Sequence, residues 1–445
     1  MERYEAYKDS GVEWIGEIPE EWKLKRLRLL GATRSGMGNK KPDDFGTGKP
    51  FLSYKDVYSR ESFCDATGLV ESTEDDRSKF SVERGDAFFT GSSETIEELG
   101  FSSVCLSTVP DATFNGFTIR FRPIGEDIWP EYAAYLFRSD VFRGYLRQRD
   151  NSITRANLSQ QVLGDAVAVL PPVYEQQAIA DYLDAKTAEI DALVADCERE
   201  VELLQEYRKV VISEAVTKGL DPEAPMKDSG IEWIGEIPEE WDTIRLGEIS
   251  YIRARLGWRA LKADEYVDEG YPMYSAFNIV NEKFVTEPVN YITEFRYMES
   301  PEIMMAVGDI MLVKDGAGVG KCAVVRELDG PCTVNGSIAL ITPEETQDSR
   351  YLYYFFESNA FQHFSRMLMG GMGVPHLFQR DIKLMRVIQP DLNTQTLIAD
   401  YLDVKTAEID VLIDAKQQMA DKLWEYRRSL ISEVVTGKFK VPGVN

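Results

Sequence analysis

One stretch of the chain has the glycine spacing of a nucleotide-binding loop, Asp315-Gly-Ala-Gly-Val-Gly-Lys-Cys322. A P-loop reads G-x-x-x-x-G-K-[ST]: its backbone amides cradle phosphates, and its hydroxyl ligates magnesium. Here Asp315 stands at the first glycine, Cys322 stands at the hydroxyl position, and the residues that follow predict a strand rather than a helix. The pattern therefore favours a glycine-rich hairpin between two strands, on which Lys314 and Lys321 are candidate phosphate contacts.

Other catalytic chemistry finds little support in the residue pattern. There is no Asn-Pro-Pro-Tyr or Asp-Pro-Pro-Tyr motif and no helicase Walker pair, and the many carboxylates fit solvated helix faces. With 2 histidines and 5 scattered cysteines that form no C-x-x-C pair, a metal centre or a disulfide framework is hard to build. No apolar run approaches a membrane span, and the first residues lack the apolar core of a secretory signal. We therefore expect a non-enzymatic, cytoplasmic chain that binds no metal or cofactor and does not enter a membrane.

The formal net charge of −25 argues against a nucleic-acid binder, which is usually basic. The charge is uneven, however. Residues 175–206 hold ten acidic and two basic side chains, whereas residues 23–42 hold seven basic side chains and no acidic one. Local basic surfaces are thus possible, although the isolated chain should bind DNA weakly because phosphate neutralisation supplies much of the affinity.

The elements that position these residues are organised by an internal repeat. Residues 8–22 recur at residues 227–241 with fourteen of fifteen positions identical, at an offset of 219. A second near-identity, residues 181–193 against residues 400–412, has the same offset of 219. The chain is therefore two tandem copies of one unit, with fixed ends and divergent middles. Each fixed lead segment predicts an ordered arm whose apolar side chains (Trp14, Ile15, Ile18 and Trp22 in the first copy) dock either on the arm's own domain or on a partner.

The divergent middles, residues 23–169 and 242–389, predict two strand-rich domains of one fold. Short apolar runs alternate with turn signals, as at residues 85–90, 101–106 and 117–121, and a helix follows at residues 130–137. Gly85-Asp86 corresponds to Gly308-Asp309, and the tight-turn pair Asn115-Gly116 corresponds to Asn335-Gly336. The scaffold is shared and the loops differ, which is where recognition usually varies.

A long helix follows each middle region. Apolar residues recur every seven positions, with Leu193, Tyr207, Leu412, Met419 and Tyr426 assigned to the complementary positions of the heptad. The seam positions are Leu183, Ile190, Cys197, Leu204 and Val211 in the first copy and Leu402, Ile409, Lys416, Leu423 and Leu430 in the second. Gly219 and Gly437 come just past the helix ends. We expect the two helices to pair antiparallel, although each could instead cap its own domain, and Lys416 to fix their register.

The order of domains and helices, the lead segment ending Gly-Glu-Ile-Pro-Glu-Glu-Trp22 and the junction Leu170-Pro-Pro-Val-Tyr-Glu-Gln-Gln-Ala-Ile-Ala-Asp-Tyr-Leu183 together resemble the specificity (S) subunits of type I restriction–modification enzymes, the HsdS family. The resemblance covers essentially the whole chain. In the second copy the junction has drifted, over residues 389–402, and the Glu-Gln pair is absent.

The resemblance implies a mixed α/β (α+β) protein in which two target recognition domains are separated and connected by an antiparallel helix pair. The implied parts are an arm with recognition domain 1 (residues 1–169), spacer helix 1 (170–225), a repeated arm with recognition domain 2 (226–389) and spacer helix 2 with a tail (390–445). Each recognition domain would read one half of a split, asymmetric double-stranded DNA target, and the helices would set the gap. Two copies of a methylation (M) subunit and endonuclease/translocase (R) subunits would be partners, and these would carry S-adenosylmethionine, ATP and magnesium. A DNA-independent scaffold whose two domains bind proteins is the alternative.

Local basic clusters supply the candidate DNA contacts, because Arg suits phosphate and guanine edges and Asn suits adenine. An ordinary solvated side chain is the alternative for each of them. The candidates are Arg34, Lys40, Lys41, Arg147, Arg149, Arg155 and Asn157 in the first domain, and Arg253, Arg255, Arg259, Lys314, Lys321, His376 and Arg380 in the second.

Overall fold

The computed structural model describes residues 2–38, 40–149, 156–255, 265–316, 318–368 and 376–444. It divides into two compact units, each of which draws on both halves of the chain. Unit 1 comprises Met1–Cys197 and Gln418–Asn445, and unit 2 comprises Glu198–Gln417. The four parts along the chain stay a prediction. Each compact unit combines one strand-rich domain with a segment of both long helices.

Unit 1 is built from short strands and helices that precede the first long helix. Its strands are β1 (Tyr7–Asp9), β2 (Glu17–Pro19), β3 (Lys23–Arg26), β4 (Gly31–Ser35), β5 (Phe45–Leu52), β6 (Ser62–Phe63), β7 (Gly68–Val70), β8 (Ala87–Thr90), β9 (Ser92–Ser93), β10 (Ser102–Cys105), β11 (Thr113–Phe114), β12 (Thr118–Pro123), β13 (Ala156–Asn157) and β14 (Val167–Leu170). Its helices are α1 (Tyr54–Ser59), α2 (Glu74–Lys79), α3 (Pro130–Arg138), α4 (Asp140–Gln148) and α5 (Gln160–Asp165), and the long helix α6 (Val173–Lys218) begins here.

Unit 2 repeats this plan. Its strands are β15 (Met226–Asp228), β16 (Glu236–Pro238), β17 (Asp242–Arg245), β18 (Ser250–Arg253), β19 (Tyr271–Tyr274), β20 (Ile279–Val280), β21 (Lys283–Phe284), β22 (Asn290–Ile292), β23 (Ile310–Val313), β24 (Cys322–Val324), β25 (Thr333–Val334), β26 (Ile338–Pro343) and β27 (Arg386–Gln389). Its helices are α7 (Leu246–Ile249), α8 (Glu294–Met298), α9 (Ser349–Glu357), α10 (Asn359–Leu368), α11 (Gln379–Leu384) and the start of the long helix α12 (Leu392–Val435).

The central sheets of the two units correspond strand by strand. Unit 1 has the order β4-β12-β8-β10-β6, and unit 2 has the order β18-β26-β23-β24. A three-stranded sheet accompanies each, β11-β5-β7 and β22-β19-β25. The central strands are buried on both faces, which explains why the sequence shows apolar runs rather than alternation. The mixed fold class predicted from the sequence is confirmed.

The glycine-rich stretch is a hairpin, as predicted, because β23 and β24 pair antiparallel on either side of it. The two Asn-Gly pairs also form tight turns, with Thr118 N donating to Asn115 O at 3.1 Å and Ile338 N donating to Asn335 O at 3.2 Å. Each turn carries the chain from the small sheet into the central sheet.

The two long helices pack on each other within each unit, and the predicted seam is confirmed. In unit 1, Ile190 and Cys197 share a buried cluster with Leu430, and in unit 2 Val211 shares one with Leu402. Asp191 faces Arg427 in unit 1, and Arg208 faces Asp410 in unit 2, which makes the pairing antiparallel. Lys416 forms an ion pair with Glu200 of the other helix, consistent with the predicted role in register.

The predicted complementary positions of the heptad were wrong. Leu193 and Tyr207 are 47% and 49% exposed, as are Leu412, Met419 and Tyr426 to similar extents. Thr187 and Val194 are buried instead. They lie four residues after the seam positions rather than three, so the apolar stripe turns the other way around the helix.

The start of each long helix is fixed by a buried glutamine. The Gln176 side chain accepts from Trp129 N at 2.8 Å and donates to Asp127 O and Pro171 O, both at 2.9 Å. Gln395, at the offset of 219, accepts from Asp348 N at 3.0 Å and donates to Pro390 O at 2.9 Å. Only the glutamate of the predicted Glu-Gln signature is therefore lost in the second copy, and the residue that orders the junction is retained.

Each lead segment packs within its own unit, at the end of a long helix. In the first arm Ile15, Ile18 and Trp22 are buried, and Lys438 Nζ, beyond the end of α12, donates to Ile15 O at 2.9 Å and to Glu17 O at 2.7 Å. Gly437 has φ +69°, and a Cβ there would lie 2.5 Å from Pro19. Only glycine therefore fits between the helix end and the arm.

Candidate nucleic-acid interface

One edge of the unit 1 central sheet gathers several loops. Since β12 is antiparallel to both β4 and β8, the ends of β4 and β8 meet the start of β12 there. Gly36 N donates to Thr118 O at 3.1 Å, Gly91 N to Phe117 O at 2.8 Å, and Leu158 N to Gly91 O at 2.9 Å. We call residues 34–41, 91–98, 115–117 and 156–158 the unit 1 loop edge.

Unit 2 has the equivalent edge. Lys314 N donates to Ser337 O at 2.8 Å and Leu377 N donates to Lys314 O at 2.8 Å, repeating the backbone bonds of Gly91 and Leu158. The Gln379 amide also reaches Ile252 O at 2.6 Å. Residues 253–255, 314–321, 335–337 and 376–380, where described, form the unit 2 loop edge.

The structure brings most of the unit 1 candidates to this edge. Arg34, Lys40 and Lys41 lie at the end of β4 and in the loop that follows it, and Asn157 pairs through its backbone with Ser92. Lys40 Nζ donates to Glu71 O at 2.7 Å and lies 3.4 Å from the Asp76 carboxylate, so its charge is partly neutralised.

Two further unit 1 candidates lie on the last turn of α4, whose Leu146 shares a buried cluster with Leu158 of the loop edge. Arg147 is paired with Asp140 at 2.6 Å, and the Arg149 guanidinium lies over the Tyr145 ring at 5.5 Å. Arg155 lies outside the described residues, so its prediction has no structural counterpart.

The unit 2 candidates differ in what their side chains contact. Lys314 is largely buried and lies 2.7 Å from Asp315, which also pairs with His376. Burial would raise the pKa of Asp315, but the hydrogen bonds from Lys314 and His376 outweigh it and hold the pKa below its usual range. Asp315 therefore stays anionic and reduces the positive charge at this position. Lys321 is exposed.

Arg255 and Arg380 lie at the ends of the same loops. The Arg380 side chain is 81% exposed, with its Nε 3.3 Å from Asp381. Arg255 is half-buried, and Arg259 lies outside the described residues.

Arg253 has an internal partner. Its Nη2 donates to the fully buried Asp309 at 2.6 Å and to Thr342 Oγ1 at 2.8 Å, and its side chain is 12% exposed. In unit 1 the corresponding buried aspartate is Asp86, and the arginine that pairs with it at 2.5–2.6 Å is Arg122, on a different strand.

Arg34 and Arg253 occupy equivalent positions in the two units. Arg34 pairs across to Arg120 of β12, and Arg253 pairs across to Leu340 at the equivalent place in β26. Arg122 supplies the internal cation in unit 1, so Arg34 is left exposed, with one hydrogen bond to Lys79 O at 3.0 Å. In each unit one arginine thus pairs with the buried aspartate. In unit 1 that arginine is Arg122, which leaves Arg34 available to the loop edge.

Sequence reasoning missed two exposed aromatic residues, one on the unit 1 loop edge and one beside the unit 2 loop edge. Phe117, directly after the Asn115-Gly116 turn, is 71% exposed. Phe277, which follows β19 beside the turn at Asn335, is 84% exposed. The turn signal had been recognised, and the residue after it was the available clue. The loop edges therefore offer cations, amides, hydroxyls and protruding rings, which are groups that hydrogen-bond and stack.

Within the described parts of the chain, no group of three or more metal-ligating side chains is placed to hold an ion. None of the described helices is both long and apolar enough to cross a membrane.

The described chain thus carries two similar strand-rich domains, each joined to an antiparallel helix pair. Residues 238–418 match the family model for the type I restriction modification DNA specificity domain. The type I restriction enzyme MjaVIII specificity subunit of Methanocaldococcus jannaschii is 24% identical over 316 residues, 70% of this chain and 71% of the relative. The putative MjaX specificity subunit of the same organism is 23% identical over 440 residues, 96% of both chains.

Solved structures agree on the fold. A chain from a structure described as the basis of complex assembly and conformational transition of the type I R-M system gives a TM-score of 0.71 at 15% identity, covering 95% of this chain and 99% of that one. The HsdS subunit from Thermoanaerobacter tengcongensis gives 0.53 at 15% identity, covering 95% and 98%. The predicted resemblance is confirmed by the family model and the curated relatives: the chain is similar to type I specificity subunits.

Proposed function

We propose that this chain is the DNA-specificity subunit of a type I restriction–modification complex, in which unit 1 and unit 2 each read one half of a split, asymmetric target. One observation carries the proposal: the two loop edges share a backbone arrangement and differ in the side chains mounted on it. The paired positions Ser92 and Asn157 of unit 1 are Asp315 and His376 in unit 2.

Such differences are what two unlike half-sites require. Base identity is read by hydrogen bonds and apolar contacts with base edges, while phosphate contacts only position the protein. Phe117 on the unit 1 loop edge and Phe277 beside the unit 2 loop edge place an exposed apolar group at different points of the two units. The two units would therefore favour different bases, and the helices would set the distance between them.

The exposed stripe on the long helices supports partner binding at two equivalent places. Leu193 and Tyr426 of unit 1 correspond, at the offset of 219, to Leu412 and Tyr207 of unit 2, and all four are 47–51% exposed. A partner that binds one pair would meet the same pair again. Two copies of a methylation subunit are the proposed occupants, with endonuclease/translocase subunits joining the assembly.

The proposed division of labour leaves this chain without catalysis. The partner subunits would carry S-adenosylmethionine, ATP and magnesium, and the assembly would work in the cytoplasm. Their surfaces would also supply the phosphate contacts that a chain of net charge −25 cannot provide alone.

Sequencing the methylome of cells with and without the chain tests the proposal. Loss of one bipartite methylated motif on deletion is the expected result, and an unchanged methylome would instead favour a DNA-independent scaffold. Replacing residues 242–389 with the second recognition domain of another specificity subunit should change one half of the motif only. A change in both halves would refute the assignment of one half-site to each unit.

A further inference from the structure

A largely buried arginine connects three elements of unit 1. Arg427 of α12 lies with its Nε 2.8 Å from Asp191 of α6, and its two terminal nitrogens lie 2.9 Å and 3.2 Å from the Glu61 carboxylate. Glu61 belongs to the strand-rich domain, directly before β6. The Arg427 side chain is 12% exposed, whereas Glu61 is 33% and Asp191 is 44% exposed, so the bidentate pair is partly shielded from solvent.

Unit 2 contains the same arrangement with the helices exchanged. Arg208 of α6 lies 3.3 Å from Asp410 of α12 and 3.1 Å from Glu282, in the turn between β20 and β21. The Arg208 side chain is 9% exposed. We call Arg427–Asp191–Glu61 and Arg208–Asp410–Glu282 the two arginine clasps.

The origin of the residues indicates a shared role. The two arginines are separated by the repeat offset of 219, and so are the two aspartates. The glutamates are 221 residues apart, which lies within the range of offsets that insertions give the domains (223 for Gly85 and Gly308, 220 for Asn115 and Asn335). Each glutamate directly precedes a short strand, β6 or β21. The repeated helices therefore supply an arginine and an aspartate twice, and each domain supplies a glutamate at an equivalent place.

A second contact attaches each domain to the helices at another level. Tyr135 donates to Asp184 at 2.5 Å in unit 1, and Tyr354 donates to Asp403 at 2.8 Å in unit 2. Asp184 precedes the clasp residue Asp191 by seven residues on α6, about 10 Å along the helix at about 1.5 Å per residue.

Apolar packing already joins each domain to the helices. The clasp adds a directional polar contact about two helical turns from the tyrosine contact, and contacts at two levels resist rotation of the domain on the helix pair. We propose that the two arginine clasps are positioning devices that hold each recognition domain at a fixed angle on the helix pair, and so determine how strictly the complex discriminates the gap between half-sites. The inference rests on the proposed function. Glu61 and Glu282 are the positioning residues that it adds.

The variants Glu61→Gln and Glu282→Gln test it, because each removes one carboxylate charge and leaves the tyrosine contact and the helix pair in place. Each variant would be assembled with the methylation subunit. Methylation would then be measured on duplexes that carry the methylome-derived half-sites with the native gap, one base pair more and one base pair less. We expect near-native methylation at the native gap and an approximately tenfold lower preference for it, equivalent to about 1.4 kcal/mol.

Glu189→Gln is the matched control, since Glu189 is an α6 carboxylate paired within its own helix to Lys186. It should keep the wild-type gap preference. The clasp variants should also keep the half-site sequences, because the loop edges are unchanged.

Three outcomes would overturn the inference. Wild-type gap preference in both clasp variants would show that the clasps do not set the angle. A proportional loss of methylation at all gaps, with a lower melting temperature, would show a purely structural role. If the wild-type complex methylates no bipartite motif, the proposed function fails first and the inference falls with it.

Discussion

Arg253 and Arg34 hold the same strand position in the two units, and we predict opposite consequences when each is replaced by alanine. Arg253→Ala removes the cation beside Asp309, a carboxylate with no exposed surface. Thr342 and Ala306 N would still donate to Asp309, at 2.5 Å and 2.8 Å, but its charge would be uncompensated.

Breaking a buried ion pair from one side costs about 3–5 kcal/mol. For a unit of this size each kcal/mol shifts the melting temperature by roughly 2–4 °C, so the expected loss is roughly 6–20 °C. Arg34→Ala removes an exposed side chain with one backbone contact and should change the free energy of unfolding by less than about 0.5 kcal/mol.

The assays are thermal unfolding of both variants and salt-dependent binding of the assembled complex to its target duplex. Arg34→Ala should lower the slope of log affinity against log salt by about 0.9 if it meets one phosphate. The double variant Arg253→Met with Asp309→Leu should recover most of the lost stability, because replacing a whole buried pair with apolar groups is often neutral.

The reasoning would be refuted by an Arg253→Ala protein that melts like the wild type and binds DNA more weakly. In that case Arg253 would be a DNA contact, as predicted from the sequence, and the buried aspartate would be satisfied by its remaining donors.

Three further predictions concern other parts of the two units. Burial and then repulsion from Glu282 raise the pKa of Glu357 from 4.5 to about 8. The folded state therefore holds this proton more tightly than the unfolded state, so the free energy of unfolding falls as pH rises from about 4.5 through 8. Thermal melts at pH 5 and pH 9 should show a smaller fall for Glu357→Gln than for the wild type. An equal slope in both proteins would contradict the shift. Gln176→Leu leaves buried backbone groups without partners and should cost about 1–3 kcal/mol in urea unfolding; no change would mean that the glutamine does not order the helix start. Phe117→Ala should weaken binding to the target duplex without lowering the melting temperature. Ile124 is 75% exposed at the opposite edge of the same sheet, and Ile124→Ala should change neither. Equal effects of the two substitutions would argue against a role for the loop edge.

The repeat could be read directly from the sequence because identity at a fixed offset needs no three-dimensional knowledge. The seam of the long helices followed from the seven-residue periodicity. Which neighbouring positions complete the buried stripe did not, since Leu193 is as apolar as Val194 and only packing distinguishes them. Arg253 resembled any basic residue at a strand end until Asp309 was seen beside it. The arginine clasps were invisible for a similar reason: Glu61 is distant in sequence from Arg427, and only the fold brings the two side chains together.

The antiparallel helix pair has a consequence for the origin of the chain. In unit 1, Tyr132 donates to Val169 O at 2.9 Å and to Val435 O, at the end of the second long helix, at 3.3 Å. In unit 2, Tyr351 donates to Ile388 O and to Val216 O, at the end of the first long helix, both at 3.2 Å. The domain of each half thus binds the end of the long helix that belongs to the other half. A half-length ancestor would have met the same need by exchanging helix ends with an identical copy, in an isologous dimer. Joining two such halves in one chain would allow each half to diverge independently.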